Sequence, residues 1–161
     1  MDPSGLRLRR AEEGDAEAIY AVHTAAIRGL CSSSYGGDDI DTWAGRQAPE
    51  KYVPFIKAGE ITVAVENGQV VGFGHLLSGE EVKGLFVSPD SGKKGVGSAL
   101  LRRLEEEARR AGSETVRLKA SLNAVGFYQG QGFSVVDSSE KCVHCEDRIR
   151  CVLMTKSLGQ T

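Results

Sequence analysis

Apolar and polar positions along this chain change period from two to about 3.6 and back, and those changes mark its elements. Leu6–Arg10 alternates apolar and basic residues and predicts a short first strand. Gly14-Asp15 opens a helix, where the Asp15 carboxylate can accept from first-turn amides. Ala18, Ile19, Val22, Ala25, Ala26 and Leu30 follow at helical spacing. Ser32–Gly37 reads as a small-residue loop. Asp38–Gln47 reads as a second short helix with Ile40 and Trp43 on one face, and Pro49–Ala58 as a helical turn closed by Gly59. A hairpin comes next: Ile61–Glu66, the turn Asn67-Gly68, and Gln69–Leu77. Asn-Gly between two β-branched, apolar runs is a strong short-range hairpin signal.

Glu81–Val87 predicts another strand, whose alternation breaks at Gly84, the mark of a bulge or a close backbone approach. Gly95–Ala111 is the clearest helix: Val96, Leu100, Leu101, Leu104 and Ala108 form its apolar stripe. Arg102, Arg103, Glu105, Glu106, Arg109 and Arg110 cover its other face, and Gly112 ends it. Thr115–Ala120 reads as a strand and Ser121–Gln131 as a short helix stopped by Gly132. Phe133–Asp137 and Ile149–Lys156 read as closing strands. The order β-α-α-β-β-β-α-β-α-β-β predicts an α/β fold with a mixed sheet.

Composition narrows the function classes. The 161 residues fit one domain, residues 1–161, with 40% hydrophobic and 26% charged positions. A chain of this size buries roughly 70% of its unfolded surface, so its core needs no metal or disulfide. A net charge of −2 argues against nucleic acid as a partner. No apolar run approaches the ~20 residues of a membrane span. The first ten residues lack the apolar stretch of a secretory signal, so the expected address is the cytoplasm, with the four cysteines mostly reduced.

The chemistry concentrates in Leu85–Leu101. A strand ends at Val87, Pro89 turns the chain, and a glycine-rich loop runs into the long helix. The first amides of a helix lack internal partners and carry the positive end of its dipole. Gly92, Gly95, Gly97 and Ser98 let a pyrophosphate approach that backbone, and Lys93 and Lys94 add charge. Leu100 stands where a dinucleotide fingerprint needs its third glycine, and the loop lacks the Gly-Lys-Ser/Thr of a P-loop.

This segment resembles the phosphate-binding motif of the GNAT superfamily of N-acetyltransferases, a strand ending Val-x-Pro followed by Gln/Arg-x-x-Gly-x-Gly/Ala. Val87-Ser88-Pro89 and Gly95-Val96-Gly97 match, while Gly92 replaces the Gln/Arg. Downstream, Ala124, Phe127, Tyr128, Gly132 and Phe133 match the family's Asn-x-x-Ala-x-x-Phe-Tyr-x-x-x-Gly-Phe. Ser121 falls at the Asn position and Asn123 two residues later. With the element order, the resemblance spans Leu6 to Leu158. It implies a mostly antiparallel central sheet flanked by helices and splayed between its two central strands. It also implies acetyl-CoA as co-substrate. The pantetheine arm would pair with Leu85, Phe86 and Val87 like an added strand, with Gly84 at the bulge. The diphosphate would sit on Gly92, Lys93, Lys94, Gly95, Val96, Gly97 and Ser98, with Asn123 and Tyr128 completing the cofactor site.

The transfer chemistry has clear requirements. A lysine-like amine of pKa ~10.4 costs roughly 4.6 kcal/mol to deprotonate at pH 7, so a base is useful. Glu80 and Glu81 open the strand beside the expected thioester, and Glu81 lies where many family members carry a glutamate base. The motif places Tyr128 to protonate the departing thiolate, uphill by only about 2 kcal/mol from a phenol to an alkyl thiol. His75 sits on a strand facing the expected acceptor cleft; His23 lies in a helix stripe. By the resemblance, Arg28–Gln47 roofs the acceptor pocket, with Tyr35 and Trp43 as candidate contacts near Asp38, Asp39 and Asp41. Trp43 also fits a core position beside Ile40. Cys142-Val-His-Cys145 has one Cys-x-x-Cys pair, short of the two pairs or His pair of a strong zinc site, even with Cys31 or His144 added, so no metal is expected. The reading is an N-acetyltransferase acting on an amine by direct attack in a ternary complex. The rival is an acyl-CoA sensor without turnover. A homodimer is left open.

Overall fold

The computed structural model describes residues 5–30, 48–89, 95–121, 124–137, 141–142 and 149–159. Its strands are β1 (Arg7–Arg10), β2 (Ile61–Glu66), β3 (Gln69–Leu77), β4 (Glu81–Val87), β5 (Thr115–Ser121), β6 (Ser134–Asp137), β7 (Lys141–Cys142) and β8 (Ile149–Ser157). Its α-helices are α1 (Ala16–Leu30), α2 (Val53–Lys57), α3 (Val96–Arg110) and α4 (Val125–Gly130), with 3₁₀ turns at Glu13–Asp15 and Pro49–Tyr52. The strands lie in the order β1-β2-β3-β4-β5-β8-β6, and β7 pairs with β8. Pairing is antiparallel except between β4 and β5. This is the mixed, mostly antiparallel sheet expected.

Local chemistry explains the boundaries. Asn67 (φ 53°) and Gly68 (φ 77°) both take positive φ, as the tightest hairpin turn demands. Helix α3 ends in a Schellman motif: Ser113 N–H donates to Ala108 O and Gly112 N–H to Arg109 O, each at 3.0 Å.

Helix α3 covers one face of β2, β3 and β4, while α1 covers the other face of β3 and β4. Val96, Leu100, Leu101, Leu104 and Ala108 are all buried, as their spacing predicts. Burying each leucine contributes about 1.5–3 kcal/mol. Gly74 makes that packing possible: a Cβ there would lie 2.8 Å from Leu104 Cδ1. On the α1 side, Ile19, Val22, Tyr52, Ile56, Ile61, Val63 and Phe73 form a second cluster.

Three local expectations change. Asp15 does not cap α1; its carboxylate accepts the Glu12 amide at 2.7 Å and the Arg9 guanidinium at 2.8 Å. The guanidinium is the stronger partner and holds the Asp15 carboxyl below its usual range. Glu105 is not on the solvated face of α3: it is 5% exposed and paired with Lys156. Ser121 still belongs to β5, and α4 begins only at Val125, because Ser121 continues the ladder opposite Cys151 of β8.

Candidate functional site

Strands β4 and β5 part company in the middle of the sheet. They pair only at Glu81↔Arg117 and Val82↔Leu118. Beyond that, β4 keeps β3 on one edge through Val87, and β5 keeps β8 through Ser121. Among the described residues, the ladder between β4 and β5 has no pair beyond Val82↔Leu118. Central strands are normally buried, yet every residue from Gly84 to Val87 is only half-buried. The register shift beside this opening falls between His75 and Leu76, where the partner moves from Gly84 to Val82. The extra residue is thus Lys83, one position before the glycine that signalled it. Unpaired main-chain groups in a central strand suit an extended polyamide laid alongside.

Helix α3 starts at the open end of this wedge. Its N-cap, Gly95, has φ 77° and ψ 11°, a left-handed conformation that glycine adopts without penalty. The glycine N-cap brings no side chain to the first-turn amides, and no acidic residue occupies that turn. The free amides and the dipole therefore keep their affinity for an anion. A Cβ on Gly97 would stand 3.4 Å from Phe127 Cζ and 3.7 Å from Val87 Cγ2, so the helix start, the end of β4 and α4 meet there. Ser98 Oγ lies 3.1 Å from Gln131 Nε2.

Tyr128 on α4 is buried between Phe127 and Phe133, with ring centroids at 5.2 and 5.6 Å in edge-on contacts. Burial pushes its phenol above the ordinary value, so the group stays protonated over the whole working pH range.

Cross-strand partners share a face of the sheet. The pairs Phe73↔Phe86, His75↔Gly84 and Leu77↔Glu81 therefore put Glu81, Gly84 and Phe86 on the α1 side with His75. His75 Nε2 lies 2.8 Å from Glu60 Oε1, and Phe55 packs on the imidazole with centroids 4.6 Å apart. Desolvation lowers the His75 pKa, partly offset by the Glu60 hydrogen bond, so a neutral ring is favoured at pH 7. Arg117 staples the closed end of the wedge, 3.0 Å from Glu80 Oε1 and 3.7 Å from Glu81 Oε1. The carboxylate suggested as base already has a cation for company. His23 Nδ1 lies 2.7 Å from Tyr52 Oη, and its ring packs at 4.2 Å on Phe86.

Leu85, Phe86 and Val87 thus edge the opening, Gly95, Val96, Gly97 and Ser98 start the helix at its end, and Tyr128 is buried beside Phe127, which reaches Gly97; Glu81 lies at the closed end and His75 across β4 from it. Gly92, Lys93, Lys94, Asn123, Tyr35 and Trp43 lie outside the described residues, as do Cys31, His144 and Cys145. Among the described residues no cluster of three or more potential metal ligands occurs, and no helix is long and apolar enough to cross a membrane. Sequence reasoning missed Glu60, Arg117 and Gln131. Only Gln131 left a trace, standing directly before the motif glycine Gly132.

Comparison with known proteins adds to this geometry. A family model described as the acetyltransferase (GNAT) domain matches residues 31–158. The peptidyl-lysine N-acetyltransferase YjaB of Escherichia coli K12 is 39% identical over 142 residues, covering 84% of this chain and 86% of the relative. A crystal structure of a GCN5-related N-acetyltransferase from Rhodopseudomonas palustris superposes with a TM-score of 0.89 at 26% identity, covering 98% of both chains. YncA of Salmonella typhimurium, solved with its cofactor acetyl-CoA, shares the fold with a TM-score of 0.73 at 22% identity, over 98% of this chain and 96% of that one.

Proposed function

Because this chain belongs to the GNAT family of N-acetyltransferases and uses acetyl-CoA as donor, we propose that it acetylates a lysine side-chain amine on a peptide by direct attack in a ternary complex. The observation that carries the reading is the wedge: two residue pairs between β4 and β5, then an opening that ends at a helix start with glycine at its N-cap. Acetyl-CoA brings a thioester whose carbonyl carbon the amine attacks. The chain supplies the rest. The free main-chain edge of Leu85–Val87 binds the pantetheine arm, and the amides from Gly95 to Ser98 take the diphosphate, joined by Gly92, Lys93, Lys94 and Asn123.

Glu81 receives the proton of the ammonium, directly or through water, on the face it shares with His75. Arg117 must yield to it, which the half-exposed position of that arginine allows. Tyr128 donates toward the departing sulfur. Tyr35, Trp43 and His75 are the proposed acceptor contacts; His75, neutral and oriented by Glu60, can accept a hydrogen bond without repelling a cation. The peptidyl acceptor is supported by the activity of the YjaB relative.

The test is a screen of lysine peptides, free amino acids, polyamines and simple amines with acetyl-CoA, read by free-thiol release and by mass. Lysine peptides are expected to turn over fastest, with initial-rate patterns that intersect. Parallel patterns would replace direct attack with an acyl-enzyme. Coenzyme A binding with no turnover across the panel would favour the sensor.

A further inference from the structure

We propose that Gln131 is a positioning residue for the diphosphate of coenzyme A, acting through the Ser98 hydroxyl; this rests on the reading of the α3 start as the diphosphate site. Ser98 is the third residue of α3, in the turn whose amides have no internal partners. Gln131 Nε2 donates to Ser98 Oγ at 3.1 Å. A hydroxyl has one proton and two lone pairs. With a lone pair engaged by the carboxamide, its proton is free for another acceptor. Toward a phosphate oxygen that proton makes a charge-assisted bond, roughly twice as strong as a neutral one. A neutral donor suits this place, since a carboxylate would take the serine proton and repel the phosphate.

Gln131 is held by three elements, its carboxamide by α3 at Ser98 and its main chain by β8 and by the end of α4. Gln131 O accepts Lys156 Nζ at 2.8 Å. That ammonium pairs at 3.0 Å with Glu105 Oε1, on α3 two turns beyond Ser98. Gln131 N–H closes α4 by donating to Phe127 O and Tyr128 O at 3.1 and 3.0 Å. Helix α3 therefore grips this residue twice, directly at Ser98 and through Lys156 at Glu105. The same residue ends the helix that bears Tyr128. One residue thus ties the start of α3 to the end of α4. This also accounts for the burial of Glu105, which the stripe pattern of α3 assigns to solvent.

The test is a double-mutant cycle read by calorimetry, with coenzyme A and with pantetheine, which lacks the diphosphate. Gln131→Met keeps the volume and removes the donor. Gln131→Met and Ser98→Ala are each expected to weaken coenzyme A about tenfold, the factor of a lost hydrogen bond to a charged group, and the double variant no further. Gln131→Glu is expected to weaken it more. Pantetheine affinity should stay within twofold throughout. Gln131→Asn, which keeps the amide but shortens its reach, is the second test should the methionine variant not fold, with the same loss for coenzyme A only. Additive losses, or equal losses for pantetheine, would overturn the role of Gln131. A wild-type chain that binds pantetheine and coenzyme A equally would instead overturn the diphosphate site beneath it.

Discussion

At Tyr128, burial against Phe127 and Phe133 raises the phenol, and the proposed donor role depends on that neutral form. Tyr128→Phe keeps the ring and the packing. It is expected to lower kcat by about 10²-fold, the lower range for general acid catalysis, while the coenzyme A Kd changes less than threefold; steady-state kinetics beside calorimetry check this. His75 makes a pH prediction. Its folded pKa lies below the ordinary 6.5 because burial outweighs the Glu60 hydrogen bond, with Lys83 lowering it and Glu81 raising it. Below pH 6.5 the unfolded chain therefore binds more protons than the folded one at this residue. The contribution is complete above pH 6.5 and is lost as the pH falls toward the folded value. Urea midpoints between pH 7.5 and 5 should fall, and His75→Gln should flatten that slope. Side-chain partnerships of this kind were illegible in the sequence. Glu60 and His75 are fifteen positions apart, and Arg117 reaches Glu80 and Glu81 only because β5 lies beside β4.

At the scale of elements, α3 builds the core with its stripe and is proposed to hold the diphosphate on its first turn. Gly97→Glu puts a carboxylate among the amides proposed for the diphosphate. It is expected to abolish coenzyme A binding in calorimetry at concentrations that saturate the wild type, with unchanged helical circular dichroism. Gly74→Val tests the other role: a Cβ there already meets Leu104 Cδ1 at 2.8 Å. Overpacking of this kind costs about 1–3 kcal/mol, measurable as a lower urea midpoint. Elements with strong local signals were readable. The α3 stripe, the Asn67-Gly68 turn and the Gly112 stop all rest on interactions within a few residues, so spacing alone reveals them. Asp15 was misread because its partner, Arg9, comes from a neighbouring strand and outbids the helix amides.

At the scale of the molecule, β4 and β5 are the weak seam of the sheet, joined by the pairs Glu81↔Arg117 and Val82↔Leu118. A ligand bridging the opening should stabilise the whole chain. Coenzyme A at a hundred times its Kd adds about 2.7 kcal/mol, a rise of roughly 5–10 °C in Tm for a domain of this size. Scanning calorimetry checks it, and an unchanged Tm would mean that coenzyme A does not bind the folded chain. The sequence by itself determined the periodic elements, the glycine-rich helix start and the two motifs that mark the family, because each is written in residues close together in the chain. Only the tertiary structure decided where β4 and β5 separate, that Glu105 is buried against Lys156, and that Gln131 meets Ser98. Those facts depend on strand pairing and on charges brought together from distant segments. Pairing is a competition among all strands at once, so no local pattern records its outcome.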